Sequence, residues 1–151
     1  VLKDTCRQMW KTVVTIMSIM AMAKIMSHSG MIAEIAGMMV ALTGSFYPAA
    51  APFVGAIGTF VTGSGTSANV LFGGLQVETA GSLGLDPSWL AGANTVGATI
   101  GKMISPQSIA IGTAATASVG SESKILRKVI KYCVLFIIIA GLVAYAGSRF
   151  A

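Results

Sequence analysis

Charge, histidine and cysteine are all scarce in this sequence, and each scarcity removes a class of function. Charged side chains make up 10% of the 151 residues, against about 25% in soluble domains. His28 is the one histidine, so no histidine cluster can hold zinc. Cys6 and Cys133 are too few and too isolated for a metal site or a disulfide framework. No nucleophile–base pair stands out, which makes an enzyme a distant reading, and no cofactor is implied. The net charge of +5 sits in two clusters: Lys3, Arg7 and Lys11, then Lys124, Arg127, Lys128 and Lys131. Nucleic-acid binding would need that charge on a folded polar face with interleaved aromatics, and none exists. Positive charge flanking a membrane is the simpler reading.

What the chain does have is apolar length. Hydrophobic residues reach 54% and mean hydropathy is +0.80, values of an integral membrane protein. The methionines fall mostly in helical runs, as at Met17, Met20, Met22 and Met26. Gap-filling apolar packing accounts for them better than a copper-binding stripe. The sequence begins at Val1 with neither a signal-peptide n-region nor a small-residue cleavage site. A piece of a longer gene product is therefore expected, forming a single membrane domain over 1–151.

The spacing predicts an all-α architecture. Residues 12–29 form an apolar helix about long enough to span, with Lys24 near its end and Gly30 after it. Residues 31–43, carrying Glu34, make a helix too short to span, so it lies at an interface or against other helices. Residues 46–80 read as two apolar arms around the polar tip GSGTSAN at 63–69, a re-entrant hairpin. Asp86 and Pro87 suit an N-cap and first turn. Residues 88–118 form a transmembrane helix broken at 101–107, residues 120–131 a basic loop, and 131–148 a plain span. Placing both basic clusters in the cytoplasm requires the hairpin to dip in and return outward.

The break reads GKMISPQSIAIG, residues 101–112, inside an otherwise small and apolar stretch. A charge at bilayer depth is disfavoured by roughly 2.5–3.5 kcal/mol on insertion scales, and persists where irregular backbone lines a cavity. A broken helix of this kind marks a transporter site. Beyond the tip, a helix starting near Thr66 and Ser67 puts hydroxyls at its cap, with Asn69 close by. Beyond the break, Ser105 suits the N-cap and Pro106 the first helical position. Two helix N-termini facing one point make an anion site. Lys102 adds a full positive charge, so the constellation suits a small carboxylate.

Each of these residues has a plainer role beside the functional one. Lys102 is read against a snorkelling lysine, which its mid-segment position disfavours. Gln107, Ser108, Asn94 and Thr95 are read against helix–helix hydrogen bonding. Gly97 and Gly101 form GxxxG, better suited to close helix packing than to a ligand. Glu78 and Asp86 read as solvated end charges, with Glu34 as a proton carrier the weaker reading for that residue. GSGTSA at 63–68 also matches a dinucleotide fingerprint, with Asp86 about twenty residues on. That rival needs βαβ alternation with polar helix faces, and these flanks are apolar all round.

The stretches GTFVTGSGTSANVLFGGLQ and LAGANTVGATIGKMISPQSIAIG, with the closing basic loop and helix, resemble the carboxy-terminal part of the bacterial L-lactate permease family. The resemblance covers roughly residues 10–150, and GKMISPQSIAIG is its most specific part. It implies a multi-pass inner-membrane carrier importing lactate, and often glycolate, with protons. It also implies inverted repeats, each with a re-entrant hairpin and a broken helix, this chain being the second. Substrate contacts would fall on Ser64, Thr66, Ser67 and Asn69 of the tip, and on Lys102, Ser105, Pro106, Gln107 and Ser108 of the break. The implied partners are a small monocarboxylate, protons, lipid and the N-terminal repeat, with a homodimer as a possible assembly. The competing class is a membrane-embedded structural or regulatory module without transport, which uptake of labelled lactate by liposomes would separate.

Overall fold

The computed structural model describes Val14, Met17, Ser18 and residues 20–26, 28–116 and 120–150. Thr12, Val13, Thr15, Ile16, Ile19, Ser27 and residues 117–119, part of two expected spans, lie outside these, as does the basic cluster Lys3, Arg7 and Lys11. Among the described residues every regular element is helical. Those between 14 and 28 are helical ahead of a turn at Ser29 and Gly30. Six helices follow: α1 (Met31–Thr43), α2 (Tyr47–Thr62), α3 (Gly65–Leu83), α4 (Pro87–Gly101), α5 (Pro106–Ala115) and α6 (Glu122–Gly147). Single 3-10 turns at Gly44–Phe46 and Lys102–Ile104 lead out of α1 and α4.

Local chemistry explains the boundaries. Gly44 has φ 52°, a conformation costly for a side chain, so α1 and α2 are separate helices. Gly63 at φ 72° closes α2, and Ser64 opens α3 by accepting from the Ser67 amide. The cap is thus Ser64, earlier than Thr66 or Ser67. Asp86 caps α4 through the Ser88 N–H at 2.8 Å, with Pro87 in the first turn. Helix α6 has 26 residues and starts nine residues before the apolar span read from sequence. The basic residues at 124–131 are good helix formers, so the helix extends through them.

Packing is governed by small residues. Helices α2 and α3 are antiparallel: Gly58 meets Phe72 and Ala68, and Tyr47 reaches Gln76. Helices α2 and α4 run parallel, because Pro52 faces Gly97 and Ala56 faces Gly101. Gly55 abuts Asn94 and Ala98 in the same seam. Backbone meets backbone there, the packing role expected of the GxxxG pair. Helix α6 runs antiparallel to α2: Gly141 faces Ala49, and the rings of Phe46 and Tyr145 stack at 5.3 Å. Trp89 donates to the Ala144 carbonyl at 2.9 Å. The core joining these helices contains Tyr47, Ala51, Ala80, Leu90, Ala93 and Ala144.

Large apolar side chains face outward on several helices, among them Leu42, Val61, Ile138 and Leu142. The stretches Met31–Thr62 and Glu122–Gly147 are long and apolar enough to cross a membrane, although Gly44 interrupts the first. Surfaces of this extent call for lipid or further helices rather than water.

Candidate functional site

The parallel crossing of α2 and α4 carries the hairpin tip and the helix break to the same level. Helix α2 ends at Thr62 and α4 at Gly101. After Gly101 the chain makes one 3-10 turn, becomes extended at Ser105, and re-enters a helix at Pro106. At the hairpin tip, a side chain on Gly63 would collide with the Gln107 carboxamide. Tip and break therefore touch, and the N-termini of α3 and α5 start from one neighbourhood. Helix N-termini expose N–H groups without carbonyl partners and carry about half a positive charge each.

The tip residues are held locally. Thr62 donates to the Gly58 carbonyl at 2.8 Å and accepts from the Ser64 N–H at 3.3 Å. Ser64 is partly buried and its hydroxyl takes the Ser67 N–H at 3.3 Å. Ser67 is buried and Thr66 exposed. Across from them, Ser105 is fully buried and its hydroxyl has no hydrogen-bond partner. It occupies the N-cap position of α5 without capping through its side chain. Thr59, fully buried one turn before the tip, has an equally unpartnered hydroxyl. The register that pairs residue 52 with 97 and 56 with 101 puts Thr59 one turn beyond the last of these contacts, on the side of the break. Buried polar atoms are almost always paired. Two buried, unpaired hydroxyls, one a turn before the tip and one at the break, are therefore the notable chemistry of this site.

The remaining expected residues divide. Gln107 is exposed and abuts the tip. Ser108 is partly buried. Lys102 is exposed on this chain and pairs with no acidic residue among the described ones. Asn69 turns to the protein interior instead, accepting a 2.8 Å hydrogen bond from Asn94. Asn94 accepts from Gln76 at 3.1 Å, and Gln76 from the Tyr47 hydroxyl at 3.0 Å. Sequence reasoning missed Tyr47, Gln76 and Thr59. For Gln76 a signal existed: it lies seven residues after Asn69, on the same helix face. No group of histidine, cysteine and acidic residues suited to a metal occurs among the described residues.

A family model described as L-lactate permease matches residues 1–149. The chain belongs to the L-lactate permease family. It is 41% identical over 145 residues to an L-lactate permease of Bacillus subtilis, covering 96% of this chain and 26% of that protein. It is 42% identical over 131 residues to the glycolate permease GlcA of Escherichia coli, covering 87% and 23%. Over 91 residues it is 54% identical to an L-lactate permease of Streptococcus iniae, covering 60% and 19%. The chain thus spans about a quarter or less of these curated relatives' length. No solved structure matches it. Membership in a permease family makes this a membrane protein and accounts for its outward apolar faces.

Proposed function

We propose that this chain is the C-terminal repeat of a multi-pass inner-membrane symporter that imports L-lactate, with glycolate and D-lactate as related substrates, together with protons. In this reading α2 and α3 form a re-entrant hairpin entered from outside. Helices α4 and α5 are the halves of one discontinuous transmembrane helix. The named relatives support the substrate class, and the apolar faces support packing against lipid and an N-terminal repeat.

The observation that carries the proposal is the contact of Gly63 with Gln107, which brings the N-termini of α3 and α5 together beside the buried, unpartnered Ser105 hydroxyl. A monocarboxylate supplies what this arrangement lacks. Its oxygens accept from the first-turn N–H groups and from the Ser105 and Thr59 hydroxyls, and the Lys102 ammonium balances its charge. Charge-assisted hydrogen bonds of this kind contribute about 1.5–3 kcal/mol each. Alternating access then exposes the tip–break layer to one side of the membrane at a time.

Reconstitution of the full-length carrier into liposomes tests this reading. Labelled L-lactate should accumulate under an inward proton gradient, and unlabelled glycolate should compete. Absence of gradient-dependent uptake by well-folded carrier would overturn it in favour of a module without transport.

A further inference from the structure

Asn94 is 1% exposed, two turns before the break, and lies outside the proposed set of substrate contacts. Its carboxamide grips two rungs of the neighbouring helix. It accepts from Gln76 and donates to Asn69, at 3.1 Å and 2.8 Å. Those partners are seven residues apart on α3, hence on one face and about 10 Å apart along the axis. Gln76 is itself fully buried and held at its carbonyl by Tyr47, also fully buried. The chain Tyr47–Gln76–Asn94–Asn69 therefore links α2, α3 and α4 through their interior.

Such a grip marks register. Glycine contacts with backbone fix α2 against α4, whereas among the described residues the glycine contact between α3 and α4 is the loose 3.9 Å approach of Gly65 to the Ala98 side chain. A side chain bonded to two rungs is satisfied at one position only. Sliding or rotating α3 by one residue would leave buried amides unpaired, a costly state. The same register decides where the tip meets the break. Helix α3 begins at Gly65, four residues before Asn69, and α4 ends at Gly101, seven after Asn94.

We propose that Asn94 is a positioning residue of the substrate site. By fixing α3 along α4, it holds the Ser64–Ser67 terminus of the hairpin against the break at Ser105. This rests on the reading of tip and break as the monocarboxylate site.

The test uses the full-length carrier with Asn94→Leu, which keeps the side chain's size and removes both bonds. Two quantities are read: the KM for labelled L-lactate, and the yield of bifunctional-maleimide cross-linking between cysteines placed at Ser64 and Gln107 on a cysteine-free background. The expected result is a KM raised about tenfold or more, a smaller change in maximal rate, and a several-fold lower cross-linking yield. Gln76→Leu, which spares the Asn69 bond, should give an intermediate effect on both. It carries the test if Asn94→Leu does not reach the membrane. Unchanged cross-linking would overturn the role of Asn94 and leave the site reading standing. Reduced cross-linking with unchanged KM would overturn the site reading itself.

Discussion

Gly97 lies against the carbonyl oxygen of Pro52 with no room for a side chain between them. The relationship repeats one turn on, where Gly101 meets the Ala56 carbonyl. The crossing of α2 and α4 is therefore as close as two helix backbones allow. Gly97→Ala should destabilise the full-length carrier by about 3 kcal/mol, the upper end for overpacking, because backbone cannot yield as a side chain can. Gly92→Ala on the same helix meets nothing within 4 Å. It should be neutral or stabilise by up to about 1 kcal/mol. Thermal unfolding in detergent compares the two, and equal melting temperatures would contradict the seam.

Ser105→Ala separates a structural hydroxyl from a functional one. An unpartnered buried hydroxyl costs about 1–3 kcal/mol, so its removal should raise thermal stability in the absence of substrate. The same change should raise the KM for L-lactate about tenfold. A variant that is more stable and transports with unaltered KM would exclude Ser105 from the site.

Much of this geometry was legible in the sequence, for identifiable reasons. Asp86–Pro87 is a strong local signal, and its cap is present. Ser105–Pro106 marked the restart of a helix because proline suits a first turn. The Gly63–Ser64 reversal followed from a polar, glycine-rich tip between apolar arms. The Tyr47–Gln76–Asn94–Asn69 chain was not legible in the same way. No local rule tells which polar residue a buried amide meets on another helix. The cluster Lys124–Lys131 misled in the opposite sense: charge suggested a loop, whereas α6 runs through it.

Lys102→Ala should abolish lactate uptake while leaving membrane expression largely intact. The ammonium has no acidic partner among the described residues, and the proposed site gives it a substrate carboxylate as counterpart. Loss of that bond amounts to about 1.5–3 kcal/mol, or roughly ten- to hundredfold in affinity. Lys102→Arg should also fail, because a planar fork does not replace a point charge. An acidic partner elsewhere in the carrier predicts a different outcome, in which Lys102→Ala impairs folding first. Wild-type affinity in a well-expressed variant would remove Lys102 from the site.

The basic start of α6 should face the cytoplasm. A cysteine at Ser123, exposed on the first turn, should resist an impermeant maleimide in intact cells and react after permeabilisation. Labelling in intact cells would invert the orientation.

The parallel course of α2 and α4 has an electrostatic consequence. Two helices arrive at the tip–break layer with their C-termini, and two leave it with their N-termini. Each end carries about half an elementary charge, negative on arrival and positive on departure. From a distance these contributions cancel, while within one turn they remain strongly polar. Cys133 of the antiparallel α6 meets the Ile100 carbonyl, which brings Lys131 to the level of Lys102, so full side-chain charges rather than helix ends govern the long-range field at this depth.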